Sequence, residues 1–212
     1  MDEFKADEAA VLSHVSAGSP RWTGAPSIDL AHQLNEQCID LVCEFAAASS
    51  PAELPQFILQ NRALWGRLDR QARKRVASLP FVIVDLRFKD AEWWRQIMGQ
   101  PLLIHAGPTF FSDLATEVLL FARQAAREDL SVAKTMFAMV APVASLIVSL
   151  TLQQVRSIAS NSTHELRVRW DHDPESWREL LLACQNADEL SMAAARRQAK
   201  LLFCGELVGA AT

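Results

Sequence analysis

The sequence has almost none of the residue patterns that carry chemistry. Its seven glycines stand singly, so neither a GxGxxG turn nor a phosphate-binding loop occurs. The run 164–168 begins like the zinc helix HExxH, but Val168 stands where the second metal ligand is required. With no GxSxG elbow either, we expect a protein that is not an enzyme and needs no metal or cofactor.

Paired cysteines and a secretory signal are also missing. The four cysteines, Cys38, Cys43, Cys184 and Cys204, form no CxxC pair and lie in apolar helical patterns. Such a pattern is typical of free thiols in a reducing compartment. Residues 1–10 are acidic and lack an apolar core, and the net charge is −4. We therefore expect a cytoplasmic protein without general attraction to nucleic acid or anionic lipid.

One long stretch has no charged residue: residues 135–152, TMFAMVAPVASLIVSLTL. As a helix it would span about 27 Å, just short of a bilayer core of about 30 Å. Its apolar residues favour insertion by only about 2 to 5 kcal/mol in total, and its flanking cations, Lys134 and Arg156, balance each other. The stretch predicts a buried core helix, and we expect no membrane partner.

Within this stretch the residues form two stripes at helical spacing. The larger residues are Met136, Val140, Val143, Ile147 and Leu150. The smaller residues are Ala138, Pro142, Ser145 and Ser149, and we expect a neighbouring helix to pack closely on them. Because Pro142 lacks an N–H and clashes with the preceding turn, we expect a kink or a break within 138–141.

The rest of the chain predicts an all-α fold. Ser27 would cap a helix from Ile28, and four aspartates precede further helical patterns: Asp69, Asp90, Asp129 and Asp173. We predict one domain over 27–208, an irregular, orthogonal bundle of about seven or eight helices around one buried central helix. Residues 1–26 are predicted to be a flexible or loosely docked arm that Trp22 anchors, and 209–212 a tail.

The run 81–88, FVIVDLRF, is the exception because its β-branched bias is typical of a strand. No second run of this kind occurs, and one strand cannot satisfy its own backbone. Two alternatives therefore stay open: a buried extended segment, or a helix that its context enforces.

Basic residues concentrate in 62–75, where they are Arg62, Arg67, Arg70, Arg73, Lys74 and Arg75. Like charges that share a helical face repel one another, so a compensating group is expected. We predict that Arg67, Arg70, Arg73 and Lys74 bind an acidic protein or nucleic acid. The alternative is a solvated face that pairs with this chain's own carboxylates.

Six tryptophans and no tyrosine are an unusual aromatic choice. Trp93 and Trp94 point about 100° apart on a helix, so one of them can be exposed and anchor a partner. The alternative is that both are buried.

A polar stretch at 164–173 could also form a metal or ligand site, or be a solvated connector.

Three segments, HQLNEQC, PFVIVDL and WRELLLA, resemble uncharacterised helical proteins of proteobacteria, over residues 28–185. The resemblance implies a bacterial protein and no particular activity. From the residues we predict a helical interaction or regulatory module that binds a protein partner or forms a homo-oligomer. The alternatives are a nucleic-acid-binding regulator that uses 62–75, and an enzyme that uses 164–173.

Overall fold

The computed structural model describes residues 25–100 and 110–209. These ranges contain eleven α-helices, two 3₁₀ turns and two very short strands, which confirms the predicted all-α class. In chain order the elements are α1 (Ala25–Ala48), a 3₁₀ turn (Pro51–Glu53), α2 (Gln56–Gln60), α3 (Arg62–Trp65), α4 (Arg70–Ala77), β1 (Val84–Asp85), α5 (Ala91–Met98), α6 (Phe110–Glu128), α7 (Leu130–Phe137), α8 (Ala141–Ser149), α9 (Leu152–Asn161), a 3₁₀ turn (Thr163–Glu165), β2 (Arg167–Val168), α10 (Pro174–Asn186) and α11 (Glu189–Gly209).

Local capping chemistry places several helix starts where the sequence predicts them. Each of the four predicted aspartates accepts a backbone N–H from the first turn of its helix: Asp69, Asp90, Asp129 and Asp173. Helix α1 begins at Ala25, before the predicted cap Ser27. Most of the predicted arm, with Trp22, and residues 210–212 of the predicted tail lie outside the described residues.

The predicted central helix is not continuous. The break expected within 138–141 is confirmed: Ala138 is left-handed with φ 49°, and α8 then starts with Pro142 in its first turn. A second break, which was not predicted, falls at Leu150, after which Thr151 caps α9. Thr151 accepts the N–H of Gln154 and so replaces a helical hydrogen bond that the chain would otherwise make.

The two predicted stripes differ in burial. The large residues are buried or half-buried, as predicted, with Val143 and Ile147 at 0% exposure. The prediction that the small residues form a packing groove is wrong, since Pro142, Ser145 and Ser149 are exposed. The Ser145 hydroxyl donates to the Ala141 carbonyl, four residues earlier in its own helix, at 3.1 Å. Both stripes have helical spacing, and the one with the larger side chains faces the core.

In the described part of the chain, no single helix has the length and apolar character needed to cross a bilayer. Helices α7 and α8 meet those two criteria only as a pair. The pair is bent by 111° at the break between them.

Segment 81–88 contains no helix and is mostly buried, so the helical alternative is wrong. It is extended up to the strand Val84–Asp85 and then turns at 86–88, where Arg87 has φ 49°. The expectation that it has no strand partner is also wrong, because Val84 and Asp85 pair antiparallel with Val168 and Arg167. This partner comes from the polar connector after α9, where no β-branched run marks it. Two paired residues satisfy only part of the backbone of 81–88, so the other polar groups need different partners.

Asn35 of α1 supplies some of these partners. Its amide nitrogen donates to the carbonyls of Ala77 and Phe81 at 3.1 and 2.9 Å, and its amide oxygen accepts the Ile83 N–H at 2.9 Å. Asn35 is fully buried, and these bonds fix the extended segment against α1 and the end of α4.

Backbone bonds satisfy two more groups of the segment: the Val82 N–H donates to the Met136 carbonyl, and the Phe88 carbonyl accepts the Val140 N–H. Arg169 supplies further partners, and its own N–H donates to the Ile83 carbonyl at 2.8 Å. Its guanidinium donates to the carbonyls of Val82 and Phe137, at 2.8 and 2.5 Å, and to the Glu206 carboxylate at 2.6 Å. The side chain is only 1% exposed, and its guanidinium lies 5.2 Å from the centre of the Phe203 ring. One buried cation therefore joins the extended segment, the end of α7 and helix α11.

We predict that Arg169→Met lowers the free energy of unfolding by about 3–5 kcal/mol, because it leaves two buried carbonyls without their donor and removes one of the two cations that pair with Glu206. Arg167→Met, an exposed position two residues earlier, should change it by no more than about 0.5 kcal/mol. Urea denaturation followed by circular dichroism measures both. Equal midpoints for the two variants would contradict the role given to Arg169.

Candidate functional site

Half of the predicted basic segment is used inside the fold. Arg62 donates to the Ser49 carbonyl at 3.0 Å, and Arg75 to the Cys184 carbonyl at 2.7 Å. Arg73 pairs with Asp40 of α1 at 2.8 Å. These three arginines connect α3 and α4 to neighbouring segments, so Arg73 no longer belongs to the predicted partner-binding set.

The exposed basic residues of this segment are Arg67, Arg70 and Lys74, which we call the basic patch. Within the described ranges none of the three makes an ion pair. Arg70 and Lys74 stand one turn apart on α4 and so share a face. The patch carries three positive charges within eight consecutive residues of the chain.

Trp93 and Trp94 differ in burial, which is possible because adjacent residues point about 100° apart on a helix. Trp94 is fully buried, stacks with Phe88 and donates its indole N–H to the Arg87 carbonyl at 3.1 Å. It cannot reach a partner in this conformation, and its predicted anchoring role is corrected. Trp93 is half-buried, with the Arg87 guanidinium 5.8 Å from its ring centre. Its surface is therefore already shared with a cation of its own chain.

The polar stretch 164–173 does not gather into one site. Glu165 pairs with Arg87 at 2.9 Å, while His164 and His172 are exposed. Asp173 caps α10, and its hydrogen bond from the Ser176 hydroxyl lowers the pKa of that carboxyl. Across 25–100 and 110–209, no group of three or more His, Cys, Asp or Glu residues is placed to hold a metal ion.

An open cavity of about 360 Å³ lies between the α2–α3 region and α10. Among the described residues that line it, the ionisable ones are Glu175 and Arg178, which approach each other to 3.9 Å. The described lining includes no serine, cysteine or histidine.

Helix α11 has a surface that the sequence analysis missed. One face packs on the body through Met192, Ala195, Ala199 and Phe203, and Phe203 stacks on Phe81 with ring centres 4.2 Å apart. Glu206 on the same helix accepts from Arg169 and from Lys89. This face is held firmly by ring stacking and by a buried ion pair.

The opposite face of α11 carries a second line of residues at alternating steps of four and three. We call it the α11 stripe; its members are Leu190, Ala194, Arg197, Leu201, Cys204 and Val208, and all six are exposed. Leu190, Leu201 and Val208 are 82%, 61% and 69% exposed. This is the spacing of the two core positions of a coiled-coil heptad. In the sequence, the only signal was that apolar residues recur on two faces of one helix.

No protein-family model matches the chain, and no curated protein or solved structure matches it. The candidate site therefore follows from the residues and their geometry.

Positive charge interrupts the α11 stripe near its middle. Arg197 lies in the stripe and Lys200 beside it; both are exposed and make no ion pair within the described ranges. Arg196, by contrast, is half-buried and donates to the Ser78 hydroxyl at 2.7 Å. The exposed face is thus apolar at both ends and cationic at its centre.

The four cysteines are free, and only Cys204, in the α11 stripe, is exposed. Burial raises the pKa of Cys38 to about 12 and those of Cys43 and Cys184 to about 11. These three thiols are therefore protonated near neutral pH, and the thiolate is the reactive form.

We predict that a maleimide reagent at pH 7 adds one label per folded chain, at Cys204, and four after denaturation. Intact mass and peptide mapping measure this. Cys204→Ser should abolish labelling of the folded chain, whereas early labelling of Cys43 would contradict the burial described above.

Proposed function

We propose that the chain is a non-enzymatic interaction module whose α11 stripe binds an acidic amphipathic helix of a protein partner. The single observation that carries this proposal is the exposed line of apolar residues from Leu190 to Val208 at heptad spacing. An amphipathic helix that lays its apolar side against such a line buries both.

The dimensions support a helix as the ligand. From Leu190 to Val208 the stripe runs about 27 Å along α11, enough for about five turns of a partner helix. Large side chains anchor both ends and the middle, with small ones between them, so a helix could approach closely. Leu201, Cys204 and Val208 follow one another at one-turn spacing and are all exposed, and a contiguous exposed apolar patch is typical of an interaction surface.

The charge pattern favours a different protein over a second copy. In a parallel pair of α11 helices, each Arg197 would face its equivalent. In an antiparallel pair centred near Ala199, the two Arg197 side chains would lie about one turn apart. Like charges at an interface are unfavourable, whereas a partner carboxylate opposite Arg197 and Lys200 would satisfy them. The charge therefore favours a hetero-partner over the homo-oligomer.

We place this activity in the cytoplasm. The support is the set of free cysteines, three of them buried as thiols, which suits a reducing compartment.

We predict that Leu201→Glu abolishes capture of the partner, because it removes an apolar contact and adds charge of the partner's sign. Leu152→Glu on α9 is the matched control, since Leu152 is 60% and Leu201 61% exposed. Tagged protein is used for affinity purification from its source cells, and captured proteins are quantified by mass spectrometry. A partner retained by wild type and Leu152→Glu but lost by Leu201→Glu supports the proposal. Identical capture by all three contradicts it.

A second candidate function is nucleic-acid binding, and the observation that favours it is the exposed basic patch. Three cations can contact at most three phosphates, so the logarithm of affinity should fall against the logarithm of salt with a slope of about −3 or shallower. This is a weak, sequence-independent mode of binding.

We predict that, if this function holds, changing Arg67, Arg70 and Lys74 together to alanine removes retention on DNA or RNA columns at low salt. Arg156→Ala, at an exposed position on α9, should leave retention unchanged. Wild-type protein that passes through both columns at low salt would eliminate this candidate.

A further inference from the structure

Residues 2–15, DEFKADEAAVLSHV, have a pattern that complements the α11 stripe, although they lie outside the described residues. Phe4, Glu8, Val11 and Val15 follow one another at steps of four, three and four, the heptad spacing of the stripe itself. On a helix these four residues would share one face. The sequence thus contains a second apolar line suited to pack against the first.

The charges of the two lines are opposite. Residues 2–15 contain four carboxylates and one lysine, a formal net charge of −3 with histidine neutral. Glu8 is the single charge within its apolar line, as Arg197 is within the α11 stripe. Asp7 stands next to Glu8 just as other cations flank Arg197. A segment with this chemistry is an acidic amphipathic helix of the kind proposed above as the ligand.

The chain is long enough to bring the two together. Asn35 of α1 bonds to Ala77, whose neighbour Ser78 accepts from Arg196 of α11, so α1 passes close to α11 at this point. From there the start of α1 at Ala25 lies about 15 Å away along the helix. Residues 16–24 can extend over about 30 Å, which is enough to return to α11.

The lengths also agree. From Phe4 to Val15 the line would run about 17 Å as a helix, which fits within the 27 Å or so of the α11 stripe. A tethered segment of this kind binds at an effective concentration near the millimolar range, so even a weak contact would be populated.

We infer that residues 2–15 bind the α11 stripe of their own chain and occupy it in competition with a partner. This inference depends on the proposed function, because it assigns the same surface an internal ligand. A partner then gains the stripe only by displacing residues 2–15, which makes the module self-inhibited.

The native thiol of Cys204 reports on this directly, because it lies in the stripe and the other three thiols are buried. The rate of its reaction with an uncharged maleimide is measured in the full chain, in Val11→Lys and in Ser13→Lys. Val11 lies in the proposed contact line, and Ser13 is about 200° away from it on a helix. Both variants add the same charge close to the same place.

We predict that Val11→Lys accelerates labelling of Cys204 by about tenfold, because the loss of one buried valine shifts the bound segment toward release. Ser13→Lys should react at the wild-type rate. Circular dichroism melting, and the continued protection of the three buried cysteines, verify that each variant is folded.

Equal labelling rates in all three proteins would overturn the inference, and so would equal acceleration by both variants. The proposed function is decided separately by Leu201→Glu. If Cys204 reacts alike in all three proteins while Leu201→Glu still loses the partner, the stripe binds a partner and residues 2–15 do not cover it. Acceleration in Val11→Lys alone supports the inference, whatever the outcome of partner capture.

Discussion

The fold depends on a buried guanidinium. The extended segment 81–88 crosses the core with only two residues paired in a sheet, and each backbone group left there without a partner would cost about 1–3 kcal/mol. Arg169 and Asn35 supply several of the missing partners, and the backbone of Met136 and Val140 supplies others. A buried charge is tolerated only when it is fully paired, and Arg169 has carbonyls, Glu206 and an aromatic face around it.

The same interaction orients the candidate site. Glu206 lies on α11, so the salt bridge with Arg169 fixes the rotation of that helix about its own axis. With Phe203 stacked on Phe81, the inner face is set, and the apolar line of the α11 stripe must then face outward. A stripe presented by a rigidly docked helix loses little entropy on binding, which favours affinity. The inner face of α11 thus has a structural role, and its outer face has the proposed binding role.

The basic residues show how a charge run divides in a folded chain. Arg62, Arg73 and Arg75 lie on the sides of α3 and α4 that meet other segments, and they donate to carbonyls or a carboxylate there. Arg67, in the turn before α4, is exposed, and so are Arg70 and Lys74 on α4. Helical periodicity does not separate the two groups, because Arg73 lies only about 60° from Arg70 around α4. Which of these side chains is covered depends on the neighbouring segments, and so does the difference in burial between Trp93 and Trp94.

The sequence by itself determined the helical class, the aspartate caps and the break at Pro142, because each depends on hydrogen bonds and steric contacts within a few residues. Tertiary structure alone decided the strand partner of 81–88, the burial of Arg169 and Trp94, and which apolar line of α11 stayed outside. Each of these depends on groups far apart in the chain: Arg169 and Val82 are separated by 87 positions. Local spacing carries no information about such distant partners. The burial of Arg169, a charged residue in a polar connector, therefore could not be predicted from the sequence.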